Sequence, residues 1–420
     1  MLMLSETTLI QLKQNAAAWA QQFDVGIVLD SNHCKHALGI QNYELIIAVG
    51  IKHEITNSND SFESLRQFKN QHPAEWLFGY FSYDLKNQLE QLNSQHSDGI
   101  GFEQLYFFTP KHLLVIRTSG EIVLGEALVA EILKISHKGH NDTSVMLTQR
   151  IDEIQYKQDV EKIRKHIEEG DVYEMNYCTE FFADNISINP ASVYNKLKQK
   201  SAVPFGVYLK HNHRYVMGAS PERFLCKRGD LLYSQPIKGT AKRGADSATD
   251  EIEKQKLFNS EKERAENLMI VDLVRNDLAR SAQTGSIKVD ELFGIYSFPQ
   301  VHQMISTVSA SLHPQNDFID AIQQAFPMGS MTGTPKIMAM QLIEKYEKTK
   351  RGLYSGAIGY IEPNTDFDLN VVIRSIQYNA ETGYINFEVG SAITYDSVAQ
   401  EEYAECLLKA TAMKEVLTRV

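Results

Sequence analysis

The sequence predicts a large mixed protein of α+β class, and three observations carry that expectation. The chain has 420 residues, 43% of them apolar, with only 11 prolines, enough to bury a large core as one oversized domain or two interlocked ones. The first 135 or so residues are rich in short β-branched and aromatic runs bounded by Asp, Asn, Ser and Gly, the pattern of strands. The rest alternates such runs with capped segments of helical periodicity.

Composition excludes several function classes. The net charge is -11 and the basic residues are dispersed, so no electrostatic footprint for nucleic acid exists. Cys34, Cys178, Cys226 and Cys406 stand far apart without CxxC spacing, which argues against a zinc site or a disulfide framework and for reduced, mostly buried thiols. The N-terminal stretch lacks the features of a signal peptide and no later stretch approaches the length of a membrane span, so a cytoplasmic protein without membrane contact is expected.

Taken in order, residues 5–23 place Leu9, Leu12, Ala16 and Trp19 at helical spacing behind Ser5 as cap. DVGIVLDSN and YELIIAVG read as strands, Trp76 to Leu85 is rich in aromatics, and LYFFTPKHLLVIRTSGEIVLGE reads as paired strands around Ser119 and Gly120. Residues 136–150 are the most polar segment and the predicted boundary between a region at 1–140 and a second at 150–420. Beyond it, Gln158 to Glu169 predicts a helix stopped by Gly170, and RYVMGASPERFLCKRGDLLYSQPIKG predicts strands turning at Gly218 and Gly229. Ser260 and Glu263 form a capping box for a helix through Ala279. Further helices are expected at Phe318–Phe326 and Pro335–Glu347, then a hairpin of Leu369–Tyr378 and Tyr384–Val389, and a final helix from about Ser397 to Leu417.

The chemistry concentrates in a few places. The helix at 260–279 is apolar on more than one face and expected to be buried, yet Glu266 shares a stripe with Ile270 and Leu273. A buried carboxylate needs either a basic partner or a metal. The last helix repeats the pattern, with Glu402 on the stripe of Val398, Cys406, Ala410 and Met413, and Glu405 one turn on. Two helices that each present buried carboxylates point to a shared hard cation, and all-oxygen ligation points to magnesium.

Lys238 precedes Gly239 in PIKGT, where backbone approaches a ligand closely; such a lysine is either a nucleophile or base in an enclosed site, or a solvent-facing turn residue. Glu222 in SPERF is either a general acid with a raised pKa or the ion-pair partner of Arg223. Arg374 in the apolar run VVIRSI offers a planar fork for a carboxylate. FEVGSAITYDS is expected to turn from strand to helix through Gly390, Ser391 and Ala392, offering backbone N–H groups to an anion. Together these features describe a closed pocket for a dianionic small molecule.

In order and spacing, SPERF, PIKGTAKRG, ERAENLMIVDLVRNDLAR, VHQMISTVSA, FPMGSMTGTPK, LYSGAIGYI, NVVIRS and EEYAECLLKA resemble the chorismate-binding enzyme family across roughly residues 155–415. VLDSN and GYFSYDLK resemble the region that accompanies it, similar to component I of the anthranilate synthases. The resemblance implies antiparallel sheets packed face to face with helices outside, and magnesium-dependent replacement chemistry on chorismate. It implies that Glu266, Glu402 and Glu405 serve magnesium, that Glu222 helps the C4 hydroxyl leave, and that Gly239 and Thr240 contact the ring carboxylate. Tyr354, Arg374, Gly390, Ser391, Ala392 and Lys409 fall on the enolpyruvyl side and the metal end.

Within the family, a lysine at Lys238 is similar to the aminodeoxychorismate synthases, where anthranilate synthases usually carry Ala. The resemblance thus implies attack on C2 by a Lys238 amine held neutral, followed by ammonia at C4. Isochorismate and salicylate synthases place a base lysine in the segment matching GDVYEMN, where this chain has Glu174, which disfavours water as nucleophile. Glu174 also departs from the Gln common in the aminating branches, and Gln303 from a His. Amination in this family draws ammonia from glutamine, which takes a cysteine in a Gly-x-Cys-x-Gly turn; no cysteine here has those neighbours, so a separate glutamine amidotransferase subunit is expected. The alternatives are anthranilate synthase chemistry or a non-catalytic homologue that binds an amidotransferase or senses tryptophan, since Leu29 to Ser31 resembles a tryptophan-pocket motif.

Overall fold

The computed structural model describes residues 3–34, 39–90, 92–135 and 144–418. The expected boundary segment falls partly outside them, at 136–143. Helix α1 (Glu6–Ala20) starts where the Ser5 hydroxyl accepts the Thr8 N–H, and buries Leu9, Leu12, Ala16 and Trp19. Strands β1 (Val25–Asp30) and β2 (Tyr43–Thr56) follow, then α2 (Ser61–Gln71), β3 (Leu77–Phe81) and the short α3 (Lys86–Leu89). β4 (Leu105–Arg117) and β5 (Ile122–Leu124) pair around Ser119 and Gly120, and α4 (Glu126–Leu133) comes next.

The remainder begins with β6 (Thr148–Gln149), α5 (Glu153–Glu168), β7 (Glu174–Ala183) and α6 (Pro190–Lys200). Strands β8 (Phe205–His211), β9 (Arg214–Ser220), β10 (Arg223–Arg228), β11 (Leu231–Gln235) and β12 (Ile237–Lys242) lead to α7 (Ser247–Asn259) and α8 (Glu261–Ala279). After β13 (Lys288–Ser297) and β14 (Val301–Ser311) come α9 (Phe318–Ala325), β15 (Gly333–Thr334) and α10 (Lys336–Tyr346). β16 (Ala357–Ile361), β17 (Phe367–Val371), β18 (Ser375–Asn379), β19 (Tyr384–Ile393) and α11 (Ala399–Thr418) complete the order.

The strand pairings among the described residues are antiparallel, and they run from one layer into the other. β7, β19, β18, β9, β8 and β1 lie side by side. β1 hands on to β2, β4, β3, β16, β17, β10, β11 and β14. The two sheets face each other across a core of strand residues that includes Val25, Ile46, Phe78, Tyr106, Leu209 and Ile358. Helices cover the outer faces: α1, α5, α6, α10 and α11 over one apolar cluster, α2, α8 and α9 over another. The first part of the chain is interlocked with the second through β1–β8 and β3–β16. Among the described residues no helix is long and apolar enough to cross a membrane.

Several local expectations change. α5 begins at Glu153 behind the Asp152 cap, ahead of the expected Gln158. Gly218 is no turn: it sits inside β9 between Val207 and Ser375, where partners on both sides keep the strand straight. The strand expected over Leu369–Tyr378 is two strands, because Arg374 adopts φ +51° between β17 and β18. α8 is buried on one face only, leaving Leu268 47% exposed. The capping box at its start is half made: Ser260 accepts the Glu263 N–H, but its own N–H bonds Leu257 at the end of α7, which leaves the Glu263 carboxylate for other company.

Candidate active site

The site is built where α8, β12, β7 and α11 converge. β12 pairs with β14 at Ile237–Ile305 and again at Thr240–Gln303, with a register shift between them, so Lys238 and Gly239 form a bulge. Gly239 has φ +94°, open only to glycine at low cost, and an added Cβ would stand 3.0 Å from the Glu263 carboxylate. The bulge turns Lys238 inward, where its Nζ donates to Glu174 Oε1 of β7 at 2.5 Å, with side-chain exposures of 10% and 3%.

Burial pushes the Lys238 amine down, but Glu174 first, then Glu266 and Glu222, outweigh it and hold the amine above its ordinary value. Three neighbouring carboxylates thus favour its ammonium form, whereas the neutral amine is expected beside bound magnesium. Glu222 lies between β9 and β10, and burial pushes it up to about 7, with Ser330 and Lys238 drawing it back. It is not the ion-pair partner of Arg223, whose guanidinium bonds both oxygens of Asp368. Glu222 is therefore set as an acid near neutral pH, the state a proton donor needs.

The carboxylates of α8 and α11 form a second group. Burial pushes Glu266 up to about 7, with repulsion from Glu263 and Glu174 adding to it against the pull of Lys238. Glu263 is raised by burial and by Glu405. Lys262 sits among them, its Nζ 3.9 Å from Glu266 Oε1 and facing Glu402, Glu263 and Glu405. Glu405 is 47% exposed and pairs with Lys409 at 2.6 Å, which lowers its pKa. Glu402 is 3% exposed and accepts from Ser397 at 2.8 Å, closing the start of α11; Val398, expected on its stripe, is exposed.

These carboxylates do not close on a point. Among the described residues, the group whose ligand atoms all lie within 4.8 Å is His166, Glu169 and Asp171, elsewhere on the surface of α5, where the His166 ring bonds Asp171 and Tyr346. The α8 and α11 set nonetheless fits a hard cation. It is all-oxygen, and Glu266 and Glu263, raised by burial first and by carboxylate repulsion second, carry a charge penalty that a divalent ion relieves.

The remaining predicted residues spread along the same wall. Arg374 Nη1 donates to the Lys409 carbonyl at 3.1 Å, and burial pulls the guanidinium down while Tyr354 and Glu405 support it. Tyr354 is buried beside Cys178, its hydroxyl 3.6 Å from the thiol. Thr240 is exposed at the end of the bulge.

Gly390, Ser391 and Ala392 do not turn into a helix as expected. They stay in β19, paired with Cys178, Tyr177 and Asn176 of β7, and the chain turns only at Thr394–Ser397. The Gly390 carbonyl accepts from Lys409 at 2.8 Å, so its N–H also faces the unpaired edge of β19 toward Arg374. Gly390 is required for packing, since a Cβ would meet Cys178 Sγ at 2.4 Å. The Ser391 hydroxyl points away to Tyr156.

Lys238, Glu222, Glu266, Glu405, Lys409 and Arg374 are thus linked by contact or charge. Ser391 stands apart, and Glu402 serves the helix start. Sequence reasoning placed no role on Glu263, which it spent on the helix cap, although its spacing to Glu266 repeats that of Glu402 to Glu405.

The model of the chorismate-binding enzyme family matches residues 19–415. Aminodeoxychorismate synthase component 1 of Bacillus subtilis (strain 168) is 38% identical over 262 residues, which span 62% of this chain and 55% of that relative. Anthranilate synthase component 1 of the same organism is 32% identical over 374 residues, 81% of this chain and 72% of the relative. The crystal structure of anthranilate synthase component I from Streptococcus pneumoniae TIGR4 superposes with a TM-score of 0.78 at 26% identity, covering 91% of this chain and 94% of that one. A match over nearly the whole length, on the motifs that build this wall, means that the chain belongs to the chorismate-binding enzyme family.

Proposed function

We propose that the chain is the chorismate-aminating component of an aminodeoxychorismate synthase, a cytoplasmic enzyme that turns chorismate and ammonia into 4-amino-4-deoxychorismate for p-aminobenzoate and folate synthesis. The observation that supports this reading is Lys238: a lysine on an inward bulge, between Glu174 and Glu222. The match to relatives named aminodeoxychorismate synthase agrees with it.

In this reading Glu222 gives its proton to the C4 hydroxyl, the C4–O bond breaks and water leaves. Lys238 passes a proton to Glu174 and its Nζ bonds to C2 as the ring double bonds shift. Ammonia then bonds to C4, the C2–N bond breaks, and the electrons return through the ring. The incoming nitrogen gives a proton to Glu222 and Glu174 returns one to Lys238, so both groups are restored. Gly239 and Thr240 receive the ring carboxylate; Arg374, Tyr354 and the Gly390 amide, with Ser391 and Ala392 behind it, hold the enolpyruvyl side. Glu266 and Glu405, with Glu263 beside them and Glu402 behind, would hold magnesium, which neutralises substrate charge when bound. Lys409 lies at that end. Ammonia comes from a separate glutamine amidotransferase subunit.

Turnover of chorismate with magnesium and ammonium, with products identified by chromatography and mass, tests the reading. The 4-amino compound is expected; anthranilate with pyruvate, or isochorismate, overturns it. Purified chain that aminates chorismate with glutamine unaided would overturn the separate subunit. Anthranilate synthesis is the second reading, favoured by the longer match to anthranilate synthase component 1.

A further inference from the structure

Behind Glu222 lies a buried ion pair that the proposed reaction does not use. Lys336, the first residue of α10, donates to Asp277 Oδ2 of α8 at 2.7 Å and to the Ala325 carbonyl at 3.2 Å. Both side chains are under a tenth exposed, at 9% and 5%. The second oxygen, Asp277 Oδ1, is buried with no hydrogen-bond partner. Stranding such a group costs about 1–3 kcal/mol, so a native structure rarely leaves one dry.

Asp277 and Glu222 line one small cavity, with Ser330, Val274, Ala325 and Gly329 among its walls. Its volume is about 20 Å³. One water needs roughly 10–15 Å³ and two to four polar partners. Three are present: Asp277 Oδ1, Glu222, and the buried Ser330 hydroxyl, which misses strict hydrogen-bond geometry but stands beside the Glu222 carboxylate and stabilises its charge.

We propose that Asp277 is a positioning residue for Glu222, acting through one water in this cavity that donates to Asp277 Oδ1 and to the inner oxygen of Glu222. Ser330 donates to the water, both water hydrogens are committed, and the inner oxygen of Glu222 is an acceptor. The proton of Glu222 is then kept on its other oxygen, the one left free to meet the C4 hydroxyl. Lys336 fixes the charge and orientation of Asp277. The inference rests on Glu222 being the general acid of the proposed reaction.

The charged groups facing Glu222 are Lys238 from β12 and, across the cavity, Asp277 with Lys336 from α8 and α10; Arg223 beside it is committed to Asp368 and Gln235. Of these, only a charged Asp277, linked through the water, would favour the protonated acid. Its removal therefore weakens the hold on the proton, whereas expelling the water strengthens it, because the charged carboxylate loses a donor.

The test follows the infrared carboxyl band that Glu222→Gln abolishes, titrated in the whole, substrate-free protein. Asp277→Asn is expected to lower the midpoint by about one pH unit, a tenfold change in dissociation. Ala325→Val, which fills the cavity and keeps the Asp277–Lys336 pair, is expected to raise it by a similar amount. A pair that only holds α8 to α10 would lower the melting temperature without moving this midpoint. An unchanged midpoint in either folded variant overturns the inference, and should Asp277→Asn fail to fold, Ala325→Val decides. Failure of the proposed function shows separately, as absence of the 4-amino product from the unaltered chain while both shifts persist.

Discussion

Lys238 Nζ and Glu174 Oε1 stand 2.5 Å apart although their strands, β12 and β7, are not paired. The contact needs both the bulge after Ile237 and the pairing of Glu174 with Thr334, which anchors that end of β7. Glu174 is the foremost of the groups that hold the Lys238 amine above its ordinary value, so its charge sets the pH at which the amine loses its proton. Glu174→Gln is expected to shift the limb of the pH–rate profile that reports this lysine to lower pH, by about one unit or more. An unmoved limb in a folded variant would separate Glu174 from the chemistry.

Lys238→Ala distinguishes a nucleophile from a lysine that only neutralises the ring carboxylate. As nucleophile, its loss abolishes the 4-amino product and leaves at most slow direct amination at C2. As a neutralising charge, its loss raises the KM for chorismate and leaves the product unchanged. Mass spectrometry with ammonia withheld should show a ring adduct on the peptide that carries Lys238.

Glu222, pushed up to about 7 from an ordinary 4.5, makes activity and stability both fall as pH rises. As an acid it works below about 7, so kcat/KM should fall on an alkaline limb near there, and Glu222→Gln should cost about 10²–10⁴-fold. For stability the folded state holds this proton more tightly than the unfolded chain. Stability therefore declines as pH rises from about 4.5 to 7, and the full cost remains above 7. Glu222→Gln should gain about 1–3 kcal/mol relative to the parent in urea unfolding at pH 8 and nothing at pH 4.

Glu266, also near 7, gives magnesium a signature that needs no turnover. A cation bound there must displace the proton, so adding magnesium to weakly buffered protein at pH 7 should release protons, and Glu266→Gln should abolish the release. Glu266→Gln or Glu405→Gln should lower kcat about 10²–10³-fold while the fold survives. Full activity in excess chelator would exclude the metal.

Most strands and helices were legible because their signals are local: Ser5 and Ser260 as caps, Gly229 as a turn, the β-branched runs of β1 and β2. What escaped depends on partners distant in sequence. Gly218 and Gly390 read as breaks, but β8 and β18 hold the first in regular pairing and β7 holds the second. Arg374 read as mid-strand because its left-handed backbone leaves no trace in VVIRSI. At the site, the motifs gave Lys238, Glu222 and Glu266, whereas the charge state of Lys238 depends on Glu174, which lies 64 residues away. Glu263 was spent on a cap whose reciprocal bond had already been taken by the end of α7.

The interlock of early and late strands also sets the order of events during synthesis. β3, at residues 77–81, pairs with β16, at residues 357–361, in a register that sets Gly79 directly opposite Gly359. A ribosome adding about 5–20 residues per second makes β3 wait on the order of tens of seconds for that neighbour. Through that interval one edge of β3 stays uncovered, as do the sides of Phe78 and Phe81 that meet Tyr360 and Phe326, and β1 likewise waits for β8. The nascent chain is therefore a substrate for holding chaperones until its last quarter emerges, and slowing translation beyond β4 should increase its aggregation in a chaperone-depleted extract.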